Sequence, residues 1–97
     1  MKTRCYSINP NISWKLLKDK VVAVNVDNGN YYTFNFTSSL IWQSVDQGKS
    51  VAEVEQLLAE QFPEVTSQVI EEDVNEIIDF WMTEKLITEH SEPDLKN

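Results

Sequence analysis

The stretch VVAVNVDNGNYYTFNF, from Val21 to Phe36, decides the fold. Its first half is rich in β-branched residues, with Val22, Val24 and Val26 on one face of an extended chain. Its second half alternates Tyr32, Phe34 and Phe36 against Tyr31, Thr33 and Asn35. Between them stands Asn28-Gly29, the pair favoured where a two-residue turn needs positive φ at both central positions. The segment therefore predicts a hairpin with arms Val21–Asp27 and Asn30–Phe36. Just upstream, ISWKLL (Ile12–Leu17) reads as a further, weaker strand.

Downstream the periodicity changes from two to between three and four. Thr37 or Ser38 is placed to cap a short helix to about Asp46, with Leu40, Ile41, Trp42 and Val45 on its apolar side and Gly48 as its stop. Ser50-Val51-Ala52-Glu53 has the spacing of a capping box, which opens a second helix ended by Pro63. A third helix is expected from about Ser67 to Glu84, its core stripe being Ile70, Val74, Ile77, Ile78 and Trp81. Leu86 and Ile87 fold the chain back, and residues 88–97 read as a polar, flexible tail. The expectation is one domain over residues 1–97 with an ordered core at about 12–87. Its class is α+β, a three-stranded antiparallel sheet followed by three helices.

A chain of 97 residues with 41% hydrophobic residues buries one modest core. Cys5 is the only cysteine, so no disulfide can form within the chain, and it reads as an incidental thiol. No run approaches the roughly 18–20 apolar residues of a membrane span, and the first residues lack the apolar run of a signal peptide; the expected compartment is the cytoplasm. The formal net charge of −8 repels nucleic acid and anionic lipid and favours basic ligands or protein partners. A DNA-reading helix carries Lys and Arg, whereas the third helix carries Glu71, Glu72, Asp73, Glu76, Asp79 and Glu84.

The residue inventory argues against an enzyme. His90, the single histidine, falls in the expected tail, away from any nucleophile in the fold. One Cys and one His cannot build a zinc site, and two glycines, Gly29 and Gly48, cannot form a phosphate-cradling loop. No catalytic residue, no metal site and no cofactor is expected.

The ordered set of these segments resembles the PqqD-like peptide chaperones, or RiPP recognition elements. The likeness rests on Gly29-Asn30-Tyr31-Tyr32-Thr33-Phe34-Asn35, on Ser39-Leu40-Ile41-Trp42, on Ser50-Val51-Ala52-Glu53-Val54, and on Glu72-Asp73-Val74 through Leu86-Ile87. Ile8-Asn9-Pro10 and Ile12-Ser13-Trp14 look similar to stand-alone members from lasso-peptide clusters. The resemblance implies a winged-helix-like fold that binds the leader of a ribosomally made precursor as an added strand beside the third strand, in a groove walled by the third helix. It also implies a partner, either a leader peptidase or a radical SAM maturation enzyme. The alternative is a winged-helix scaffolding or regulatory module that binds a folded protein and no precursor.

A second stripe on the third helix fits such a groove. At about 100° per residue, Val69, Asp73, Glu76, Phe80 and Glu84 share an arc adjoining Ile77. The expected peptide site is Asn30, Tyr31, Tyr32, Thr33 and Phe34 on the hairpin with Val69, Asp73, Glu76, Ile77 and Phe80 on the helix. Apolar anchors are expected between Tyr31 or Thr33 and Ile77 or Phe80. An open strand edge also lets two copies pair as a homodimer.

Overall fold

The computed structural model describes residues 4–91. In chain order it contains β1 (Arg4–Ile8), β2 (Ile12–Leu17), β3 (Lys20–Asn25), β4 (Tyr31–Thr33), α1 (Phe36–Asp46), α2 (Val51–Gln61), α3 (Ser67–Thr83) and β5 (Ile87–Ser91). Strands β2, β3 and β4 form an antiparallel sheet in that order, and β1 pairs with β5 in a separate two-stranded ribbon. The class is α+β and winged-helix-like: the three-stranded sheet and three helices of the sequence reading, with the two terminal strands β1 and β5 in addition.

The sheet buries one face. Ile12, Val21, Ala23 and Asn25 are buried, and Val21 and Ala23 are fully so, against α1 and its neighbours. Opposite them across the core lie Ile41, Trp42 and Val45 of α1, Val54 and Leu58 of α2, and Ile70, Val74, Ile78 and Trp81 of α3. These helical positions recur at three- and four-residue spacing, so each helix presents one apolar stripe inward. At the centre Trp42 meets the rings of Trp14, Phe34 and Trp81, with centroids 6.3, 5.2 and 5.1 Å away. Such contacts contribute about 0.5–1.5 kcal/mol each beyond area burial. They surround an indole whose Nε1 has no hydrogen-bond partner among the described residues.

Side-chain caps set the helix ends. Asn35, rather than Thr37 or Ser38, caps α1: its side chain accepts from the Ser38 backbone N–H at 2.8 Å. Ser50 and Glu53 form the expected capping box on α2, and Thr66 caps α3. Gly48, at φ +83°, ends α1 in the left-handed conformation that a residue with a Cβ resists.

Two expectations need correction. The β3–β4 connection is a four-residue loop and not a two-residue turn. Asn25 N–H donates to Asn30 C=O at 2.8 Å, and of Asn28 and Gly29 only Gly29 takes positive φ. The reason is Asn25, whose buried side chain accepts from the backbone of Asp27 and Asn28 and curls the chain before Asn28-Gly29 is reached. The second arm likewise stops at Thr33, because Asn35 is committed to capping. The other correction concerns the ends. Residues Arg4–Ile8 and Thr88–Ser91, placed outside the core by the sequence reading, pair in register from Arg4↔Ser91 to Ile8↔Ile87. Tyr6, Leu86 and Ile87 are buried there. The remainder of the expected tail, 92–97, lies outside the described residues.

Candidate functional site

In the sheet order β2-β3-β4, one side of β4 is paired and the other is open. The register is Val22↔Thr33, Ala23↔Tyr32 and Val24↔Tyr31. Asn30 C=O and Phe34 N–H bond inward to β3, to Asn25 and Val21. Because pairing alternates along an antiparallel ladder, Tyr32 also turns its backbone to β3, whereas Tyr31 and Thr33 turn theirs to the open edge. That edge offers an extended chain two residues of backbone donors and acceptors.

Beside the edge runs α3. Between them lies a groove of about 410 Å³ lined by Tyr32, Thr33, Phe34, Asn35, Ser38, Ile77, Phe80 and Trp81. Its floor is rigid: Phe34 is buried and Trp81 is 1% exposed, their rings 5.1 Å apart and both packed on Trp42. Its wall is apolar and accessible, with Phe80 51% exposed and Ile77 half-buried. Tyr32 faces the helices, being opposite buried Ala23, and its hydroxyl donates to Glu84 Oε1 at 2.9 Å where α3 ends. That bond to a carboxylate raises the Tyr32 phenol above its ordinary pKa, partial burial adding to the effect.

Of the ten residues expected at the site, Tyr32, Thr33, Phe34, Ile77 and Phe80 line this groove, but Thr33 does so from the strand edge, since by its pairing with Val22 its side chain lies on the other face of the sheet. Tyr31 contributes edge backbone, but its side chain is 72% exposed on the opposite face of the sheet, beside Val24. Asn30 closes the β3–β4 loop. Asp73 stands one helical turn before Ile77 and lines a smaller recess with Thr37, Leu58, Phe62, Val65 and Ile70. Val69 and Glu76 are exposed on α3 outside the groove lining. Asn35, expected only as edge backbone, also lines the groove, and Ser38 and Trp81 were not anticipated. Trp81 has a legible signal, since it lies four residues after Ile77 on the same helical face.

Cys5 and His90, the single cysteine and single histidine of the sequence, are opposite one another in the β1–β5 register. This corrects the placement of His90 in a tail. The pair belongs to the other sheet; Cys5 is buried and His90 exposed. Among the described residues no group of three or more His, Cys, Asp or Glu is arranged to hold a metal, and no helix is long and apolar enough to cross a membrane.

Two solved structures share this fold. The chain superposes with a TM-score of 0.80 on one described as TbiB1 in complex with the TbiA(beta) leader peptide, at 20% identity, covering 84% of this chain and 93% of that one. It superposes with a TM-score of 0.75 on lasso peptide synthetase B1 complexed with the leader peptide, at 26% identity, covering 91% of this chain and 98% of that one. No curated protein matches the sequence. The family model described as coenzyme PQQ synthesis protein D matches residues 20–87, from β3 into the start of β5, a span that contains every residue lining the groove. With well over half of its length matched in this way, the chain belongs to the PqqD family.

Proposed function

We propose that this chain is a non-catalytic adaptor of the cytoplasm that binds the leader of a ribosomally synthesised precursor peptide and presents it to a processing enzyme, with no cofactor of its own. The observation that carries the reading is the open edge of β4 beside a groove whose wall residue, Phe80, is half exposed. The leader adds as a strand along Tyr31–Thr33, and its apolar side chains enter the groove against Ile77 and Phe80. Family membership supports the reading, as do the leader peptides present in both related structures.

Magnitudes assign the affinity to the groove. About four edge hydrogen bonds at roughly 0.5–1.5 kcal/mol each do not outweigh the several kcal/mol lost on association and ordering of a peptide. Burying one or two apolar leader side chains, at roughly 1.5–3 kcal/mol each, brings the total toward the ~8 kcal/mol of micromolar binding. A clamp of this kind serves both a leader peptidase and a radical SAM enzyme, because each needs a tethered substrate and not chemistry from the adaptor.

Isothermal titration with the leader of the precursor encoded nearest the gene tests the proposal. Micromolar or tighter binding of the leader, and none of the leader-free core peptide, is expected. A chain that binds neither, yet still binds a folded protein from the same cluster, is a scaffolding module instead.

A further inference from the structure

The sheet has a second face. Val22 and Val24 of β3 point away from the helices, in cross-strand rows that run through Lys15 on β2 and Tyr31 on β4. Leu17, opposite Lys20, extends the rows toward the β2–β3 turn. Leu17 is 52% and Tyr31 72% exposed, Val22 and Val24 are partly so, and a shallow recess of about 220 Å³ opens between β2 and β3. The charge pattern departs from the rest of the molecule. The chain carries sixteen acidic against eight basic residues, yet no strand position on this face is acidic, and Lys15 and Lys20 are its only charges.

An apolar strip flanked by two lysines, on a molecule whose net charge is −8, has a defined complement. Acidic surfaces are repelled by the chain as a whole and find one approach where the local sign reverses. The strip lies on the sheet's outer surface, while a guest strand would join at the β4 edge with its anchors on the helix side. Both can therefore be occupied together.

We propose that this outer face is a second docking surface, for a folded protein presenting an apolar patch rimmed by carboxylates, and that this protein is the processing enzyme. The identity of the occupant rests on the proposed function. The face, its chemistry and its independence of the groove do not.

The test uses the purified full chain, the leader peptide and the purified processing enzyme encoded beside the precursor. In Lys15→Glu/Lys20→Glu, and separately in Leu17→Ser, enzyme affinity is expected to fall tenfold or more, with leader affinity unchanged within twofold and an unaltered circular dichroism spectrum. Wild-type enzyme affinity should also weaken as salt rises. Unchanged enzyme affinity in both variants, or no wild-type complex at all, overturns the inference. So does sedimentation showing that the chain alone self-associates and that the double substitution abolishes this, because the face then serves a second copy. A wild-type chain that binds enzyme through this face but binds no leader leaves the inference standing and defeats the proposed function.

Discussion

The Tyr32 hydroxyl donates to Glu84 Oε1 at 2.9 Å, joining the edge strand to the C-cap of α3 across 52 residues of sequence. This bond ties β4 to the end of the helix that walls the groove. It forms only with the phenol protonated. Its stabilisation is present below the unfolded tyrosine pKa near 10 and is lost as pH rises through the higher folded value. In tyrosinate absorbance titrations, Tyr32→Phe should remove a component lying above pH 10, and loss of a component at or below 10 would contradict the assignment. Because the pair is partly solvated, the stability change at neutral pH should stay below about 1 kcal/mol.

Phe80→Ala should separate binding from folding. The side chain is 51% exposed, so its removal leaves no core cavity and urea stability should change by less than about 1 kcal/mol. Leader affinity should fall tenfold or more by calorimetry. An unchanged Kd would remove the groove from the binding site.

Asp73→Lys reports how the guest lies. Asp73 continues the helical wall one turn beyond Ile77, near Thr37 and away from the Tyr32–Glu84 end. A guest antiparallel to β4 brings its N-terminal part to Asp73, and a parallel guest its C-terminal part. The substitution should weaken leaders with Lys or Arg at that end by several-fold and spare those with basic residues at the other. Equal affinities for both sets would show that Asp73 does not sense the peptide's charge.

Ser39→Ala should be costly for so small a change. Ser39 is fully buried; its Oγ accepts the Val21 backbone N–H at 2.8 Å and is 3.4 Å from the Phe34 carbonyl. Alanine leaves a buried N–H unsatisfied at the β3–α1 junction, a loss of roughly 1–3 kcal/mol. The midpoint of urea unfolding checks it.

Truncation after Ile87 should destabilise the domain as a whole. It removes most of β5 and strips β1 of its partner from Arg4 to Ser7. With about four ladder bonds at roughly 0.5–1.5 kcal/mol each, the expected loss is about 2–6 kcal/mol, read from the same urea midpoints. A truncated chain as stable as the parent would make β5 dispensable.

What was legible in the sequence was local. The capping box at Ser50, the stop at Gly48 and the spacing of Ile70, Val74, Ile78 and Trp81 are encoded within a few residues, and the helices follow from them. The β1–β5 ribbon is encoded nowhere locally, because Arg4 and Ser91 meet only after the intervening chain has folded. The groove was half legible. Helical period alone placed Phe80 beside Ile77. Alternation in Tyr31-Tyr32-Thr33 presents aromatic character on both faces and cannot choose between them. The choice comes from β3, where small, buried Ala23 leaves room on the helix side for the Tyr32 ring.

The groove floor is also the outer course of the core, since Phe34 and Trp81 pack their rings against Trp42, tilted and edge-to-face, while forming the surface a guest would touch. Divergence toward new precursors is therefore channelled. Phe80, and within narrower limits Ile77, which is packed against the core, can vary in size, whereas the two rings beneath them cannot. Paralogues that accept different leaders should differ along the helical rim and share an aromatic base, and engineered retargeting belongs on the same two helical positions.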